Sequence, residues 1–134
     1  MPQSLASALF HLTFSTKHRA RILTAEDSPR LWEYLAKTTN EVGCTAIQIG
    51  GHVDHIHALV DLGRSTSIAD LVSGLKVESS KLMKRKFEIR DFAWQAGYGA
   101  FSRGEDRKDD AVRYIQNQEA RHQTVTFQEE YRGF

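Results

Sequence analysis

Hydrophobic and polar positions along the chain alternate with a period of two in some stretches and close to 3.6 in others, and the switches mark its elements. From Leu9 to Ser15, Leu9, His11 and Thr13 alternate with Phe10, Leu12 and Phe14, the pattern of a strand. A basic turn follows, and then a helix with Thr24 or Ser28 as N-cap and Pro29 in its first turn. Leu31, Trp32, Leu35 and Val42 recur on one face of that helix, and Gly43 ends it. Cys44 to Ile49 is β-rich, Gly50-Gly51 reads as a turn, and His55 to Leu62 reads as the returning strand of a hairpin. Ser67 caps a long amphipathic helix whose buried stripe is Ile68, Leu71, Val72, Leu75, Leu82 and Met83. Tyr98 to Ser102 is a short strand, and Glu105 to about His122 a last helix with acidic residues in its first turns. The order is β-α-β-β-α-β plus one helix. That is the ferredoxin-like or RRM-like α+β class: an antiparallel sheet with helices on one face, followed by a C-terminal helix that bears Tyr114.

Composition narrows the class without naming a partner. The 134 residues fit one domain, 1–134, and 40% hydrophobic residues can build an ordinary core. One cysteine, Cys44, excludes an intramolecular disulfide and a cysteine metal cluster, which suits a reducing cytoplasm. Met1 to Phe14 lacks the pattern of a signal peptide, and no apolar run nears the roughly 20 residues that span a bilayer, so no membrane partner is expected. Net charge is only +1, but basic residues cluster at Lys17-His18-Arg19-Ala20-Arg21 and at Lys81-Leu82-Met83-Lys84-Arg85-Lys86. Such clusters are either solvated faces or a phosphate-binding footprint.

The strand His55-Ile56-His57-Ala58-Leu59-Val60 carries the chemistry. Ile56, Ala58 and Val60 share the core face, while His55 and His57 share the other, roughly 6.5–7 Å apart along the strand. Two imidazoles at that spacing can converge on one ion, because a metal–nitrogen bond is about 2.0–2.2 Å. Two ligands rarely hold a catalytic metal, so a third donor is required. In Tyr114-Ile115-Gln116-Asn117-Gln118 the first and last residues lie one helical turn apart on the same face. Gln118 can add a neutral oxygen, a mixed set that suits Mg²⁺ or Mn²⁺. The competing reading leaves Tyr114 packed on the sheet and Gln118 simply exposed.

Together these segments resemble the single-tyrosine HUH transposases of the insertion sequence 200/605 type. HUH denotes His, hydrophobic, His, matched by His55-Ile56-His57. The resemblance also takes in Phe10 to Arg19, Asp54, Leu75 to Ser80, Trp94 to Ser102 and Tyr114 to Gln118, in order and at the right spacing. Two departures, Val53 in place of a common Pro and Ala58 in place of a bulkier residue, affect a turn and packing rather than a proposed ligand.

The resemblance implies an RNA-recognition-type fold, a homodimer, and single-stranded DNA bearing a hairpin as the partner. It implies Tyr114 as nucleophile, a 5′-phosphotyrosine intermediate, His55, His57 and Gln118 as ligands of Mg²⁺ or Mn²⁺, and rejoining without a nucleotide cofactor. A covalent tyrosine step conserves the energy of the broken phosphodiester for rejoining. A water or Lys76 is the open choice for the proton acceptor. Arg19, Arg21, Lys76, Lys81, Lys84 and Arg85 are the expected DNA contacts, and Trp94 and Phe101 either stack on bases or belong to the core. Three alternatives stay open: a chromosomal palindrome-processing relative, a dimeric nucleic-acid-binding module without chemistry, and a phosphoesterase in which water attacks. The chain's end at Phe134, soon after the tyrosine helix, points to the compact mobile-element enzyme rather than the first of these.

Overall fold

The computed structural model describes residues 7–118. Four strands, β1 (Leu9–Ser15), β2 (Thr45–Gly51), β3 (His55–Asp61) and β4 (Gly99–Arg103), form one antiparallel sheet in the order β2-β3-β1-β4. Three helices, α1 (Ser28–Glu41), α2 (Ile68–Arg85) and α3 (Lys108–Gln116), complete it. This is the expected βαββαβ arrangement with an added helix. Among the described residues, no helix is long and apolar enough to cross a membrane.

Strand pairing divides the sheet into two chemically different faces. Leu12, Phe14, Ile49, Ile56, Ala58 and Val60 point to one side, where Leu31, Leu35, Leu71, Val72, Leu75 and Met83 of α1 and α2 close the main core. The alternate residues of the same strands, Leu59 among them, point the other way and are covered by Ala111 and Ile115 of α3. Hence α1 and α2 lie on one face and α3 on the other, over β2 and β3. The second face is therefore partly roofed by the chain's own last helix.

The helix boundaries follow local chemistry. Ser67 accepts a hydrogen bond from the Asp70 amide at 3.0 Å and caps α2 as its sequence predicts. Thr24 does not cap α1 directly. It holds the turn before it, its Oγ1 accepting from the Asp27 amide, and Ser28 is already the first helical residue. Gly43 ends α1 with φ +85°, a left-handed conformation that glycine adopts without strain. Val42 leaves the apolar stripe assigned to it: as the residue that ends the helix it is turned outward and is 43% exposed. The last helix begins with a 3-10 turn at Glu105–Arg107 before α3, and its expected continuation towards His122 lies outside the described residues.

The clearest correction concerns Gly50 and Gly51. They are not the hairpin turn but the last residues of β2, paired with His57 and Ile56, and the reversal occurs at residues 52–54. Glycine is used there for close approach. A Cβ on Gly50 would stand 2.9 Å from both Cγ2 and the carbonyl oxygen of Ile115. Gly50 thus sets the height at which α3, and with it Tyr114, rests on the sheet. Gly50→Ala is expected to destabilise the protein by about 1–3 kcal/mol through overpacking against helix backbone. Urea denaturation measures this, and a midpoint equal to that of the parent would show that α3 does not seat on Gly50.

Candidate nucleic-acid cleavage site

Two strands, β1 and β3, bring the polar side chains of the second face together. The register sets Thr13 opposite His57, Ser15 opposite His55 and His11 opposite Leu59. Side chains directly opposite each other project to the same face, so His11, Thr13, His55 and His57 form one cluster. All four are buried. Buried imidazoles require polar partners, because an unsatisfied buried donor or acceptor costs about 1–3 kcal/mol.

His55 has a partner at each nitrogen. Its Nδ1 lies 2.8 Å from Asp54 Oδ1, and its Nε2 lies 3.3 Å from Gln118 Oε1. The Gln118 amide nitrogen donates to the Tyr114 carbonyl at 3.1 Å, which turns Oε1 towards the imidazole. With its proton on Nε2 the His55 imidazole donates to Gln118 Oε1; with the proton on Nδ1, towards Asp54, the Nε2 and Oε1 lone pairs face each other. Two acceptors facing each other in this way suit a cation between them.

His57 lies beside this pair, its ring centroid 5.0 Å from that of His55 and nearly perpendicular at 87°. Its Nδ1 is 2.7 Å from His11 Nε2. His11 is uncharged at neutral pH: burial first, and then the positive charge of Arg103, lower its pKa to about 4. Thr13 Oγ1 is buried on the same face with no hydrogen-bond partner among the described residues. Among those residues no cluster of three His, Cys, Asp or Glu could hold a metal. The donor set that fits a divalent ion is instead two imidazoles and one amide oxygen.

Tyr114 stands over this cluster. Its ring is edge-on to His57, with centroids 5.6 Å apart, and to His11, at 5.7 Å. It is half-buried, and its outer side lines a cleft of about 510 Å³ with His11, Arg103, Arg107 and Asp110. The structure therefore brings His55, His57, Gln118 and Tyr114 together within a single chain. Sequence reasoning missed His11 and Arg103 as members. The alternation of β1 puts His11 on the side opposite Leu12 and Phe14, but only the β1–β3 pairing places it against His57.

The basic residues expected to meet DNA occupy other places. Lys76 Nζ donates to the carbonyls of Gln95 and Gly97, at 2.9 and 2.6 Å, and lies over the Phe14 ring. It clasps a loop on the α2 side of the sheet, away from Tyr114, and burial draws its pKa below the usual lysine value. Lys81 pairs with Glu78 at 3.4 Å on an exposed surface, whereas Lys84 and Arg85 are exposed at the end of α2. Arg19 and Arg21 are exposed in the turn after β1, where His18 and Arg19 both have left-handed φ, 58° and 51°. That turn is fastened beside the site, because the Thr16 amide donates to the Asp54 carbonyl at 2.9 Å. Trp94 belongs to the core side: it packs edge-on against Phe14 and Phe92, and its Nε1 donates to Ser79 Oγ. Phe101 is half-buried on the His11 face.

Comparisons with known proteins bear on the family and the fold. The family model described as Transposase IS200 like matches residues 4–118. Among solved structures, a candidate transposase from Deinococcus radiodurans superposes with a TM-score of 0.71 at 22% identity, covering 89% of this chain and 96% of that one. A REP-associated tyrosine transposase bound to a REP hairpin superposes with a TM-score of 0.67 at 13% identity, covering 93% of this chain and 74% of that one. No curated protein matches the chain.

Asp54→Ala removes the carboxylate at His55 Nδ1 and leaves His55, His57 and Gln118 in place. It is expected to weaken Mn²⁺ binding about 10–100-fold, read by isothermal titration calorimetry. Unchanged affinity would mean that the Asp54–His55 contact has no bearing on a metal.

Proposed function

This chain belongs to the IS200-like transposase family, and on that premise we propose that it cleaves and rejoins single-stranded DNA at hairpin-marked ends, with Tyr114 as the nucleophile. The observation that carries this reading is the position of Tyr114, packed edge-on against His57 and His11 in the same chain and open on its other side to the cleft. The hairpin assignment is supported by likeness in fold to the REP-associated transposase, which was solved with a REP hairpin.

His55, His57 and Gln118 are the residues to hold Mg²⁺ or Mn²⁺. A divalent ion bound there supplies charge that offsets the negative charge developing on a phosphoryl group. The chain's own residues do the rest. Asp54 and His11 fix the two imidazoles, and Gln118 links the ligand cluster to the Tyr114 backbone through its amide nitrogen. The Tyr114 phenolate oxygen attacks phosphorus while the bond from phosphorus to the 3′-oxygen breaks. The products are a 5′-phosphotyrosine and a free 3′-hydroxyl, which takes up a proton. Rejoining is the same displacement reversed, with a 3′-hydroxyl attacking and the phenolate leaving, so no nucleotide cofactor is consumed.

Lys84 and Arg85 at the end of α2, and Arg19 and Arg21 in the turn fastened to Asp54, are exposed cations available to follow the DNA backbone. Lys81 is partly neutralised by Glu78, and Lys76 is occupied by carbonyls, so both are weaker contributors. A homodimer and a cytoplasmic location remain part of this proposal.

The decisive test is a covalent adduct. Incubation with labelled hairpin-bearing single-stranded DNA and Mn²⁺ is expected to yield protein–DNA adduct from the parent protein and none from Tyr114→Phe. Adduct formation by Tyr114→Phe would remove the tyrosine from the mechanism, and cutting without any adduct would point to attack by water. His55→Ala and His57→Ala are expected to abolish metal-dependent cutting while hairpin binding survives; normal cutting by both would refute the metal assignment. Joint replacement of Lys84 and Arg85 by Ala should instead weaken binding and flatten its salt dependence, by roughly 0.7 in logarithmic slope per lost phosphate contact. An unaltered slope would place the DNA elsewhere.

A further inference from the structure

Resting on the reading that single-stranded DNA is the substrate, we propose that Tyr98 is a stacking platform for an unpaired base, with the basic turn from Lys17 to Arg21 following the adjoining phosphates. Both features stand at the end of the sheet where the histidine strand begins. Ser15, the last residue of β1, is opposite His55, the first of β3. Thr13 is opposite both His57 and Gly99, so β4 starts at that end as well. Gly99 thus lies two strand spacings from His57, about 10 Å.

An exposed tyrosine is ordinary surface on its own. Tyr98, 44% exposed, differs because its backbone is clamped on both sides while its side chain has no hydrogen bond or ring contact among the described residues. Behind it, Lys76 Nζ donates to the carbonyls of Gln95 and Gly97 and draws in the bend that Gly97 makes with φ +88°. Ahead of it, Gly99 enters the sheet opposite Thr13. A ring held out on a fixed backbone costs little conformational entropy to engage, and its π face suits any base. Lys76 is a positioning residue in this arrangement.

The basic turn is fixed to the same loop. The Lys17 amide donates to the Ala93 carbonyl at 2.9 Å, the Gln95 amide to the Ser15 carbonyl at 2.8 Å, and the His18 amide to Gln95 Oε1 at 3.3 Å. Thr16 Oγ1 donates to the Ala20 carbonyl at 2.8 Å and closes the turn. Within it His18 and Arg19 are consecutive residues with left-handed φ, a conformation that non-glycine residues keep only where surrounding contacts impose it. Lys17, Arg19 and Arg21 are exposed there, and among the described residues no carboxylate pairs with any of them. Cations beside an exposed aromatic ring are the combination that binds single strands, charge meeting phosphate and the ring meeting a base. A paired base has both faces covered by its neighbours in the stack. Tyr98 therefore takes the unpaired flank and not the hairpin stem.

The test uses the full chain carrying Tyr114→Phe, without divalent ion so that no cutting occurs, and reads affinity by fluorescence anisotropy. The probes are a short labelled oligothymidylate and a chain of equal length whose bases are removed, leaving the same sugar-phosphate charge. Tyr98→Ala is expected to weaken oligothymidylate binding by about 5–150-fold and to leave the abasic chain's affinity unchanged. Tyr98→Trp should restore binding, because stacking asks for a π face and not for the hydroxyl. Arg19→Ala should instead weaken both probes alike and flatten their salt dependence by roughly 0.7 in logarithmic slope. Lys76→Met should reproduce part of the Tyr98→Ala loss on oligothymidylate alone, and add nothing when combined with Tyr98→Ala.

Undiminished oligothymidylate binding by Tyr98→Ala, or an equal loss on the abasic chain, would overturn the stacking role. Additive losses in the double variant would overturn the positioning role of Lys76. Because Tyr114 and the metal are absent from these measurements, their failure leaves the adduct experiment standing. A missing adduct with base-dependent binding intact would refute the tyrosine reading alone.

Discussion

The arrangement of this protein depends on one constraint: β3 is buried on both faces. Ile56, Ala58 and Val60 fill the core under α1 and α2, while His55, His57 and Leu59 are buried on the opposite side. An apolar second face would need only a lid. A face bearing two imidazoles needs a lid and a set of polar partners, since desolvating them without hydrogen bonds would offset much of what the core contributes. Asp54, His11 and Gln118 meet the second requirement and α3 the first. The covering helix also carries Tyr114, so the burial that makes the histidines tolerable is the same packing that brings a phenol to them.

This explains why small residues beneath α3 matter as much as the reactive ones. Gly50 lets Ile115 come down onto β2, and Ala111 and Leu59 complete a small apolar contact directly beside the polar cluster. A low helix keeps Gln118 within reach of His55 and the Tyr114 ring within van der Waals range of His57 and His11. Apolar seating and polar geometry are set together, which is how a site is held on rigid elements rather than loops.

Much of this was legible from pattern alone. Period-two alternation in β3 separates the histidines from the core residues without any structure, and the amphipathic stripe and Ser67 cap of α2 were equally plain. What sequence could not supply was pairing between distant segments. His11 is one more alternating residue until register brings it to His57, and Arg103 is one more charge until β4 pairs with β1. Gly50-Gly51 misleads for a related reason: a glycine pair is a turn signal locally, and only the weight of α3 on β2 reveals it as a place of close approach. Lys76 shows the same limit, since its two carbonyl partners come from a loop about twenty residues further along.

The position of Tyr114 also bears on how much of the site one chain can assemble. In a sheet with one bare face, a tyrosine helix would have to come from a second copy, and the expected homodimer would be required by geometry. Here α3 lies on its own sheet, and Gln118, within the same turn, touches both the Tyr114 backbone and His55. Tyr114 and the histidine cluster are linked by polar contacts that run inside the chain. Exchange of α3 between copies would have to break the Gln118–His55 contact and unseat Ile115 from Gly50 together, because both lie within one turn of that helix. Tyr114 thus stands over the histidines of its own chain, held there by the same packing that buries them.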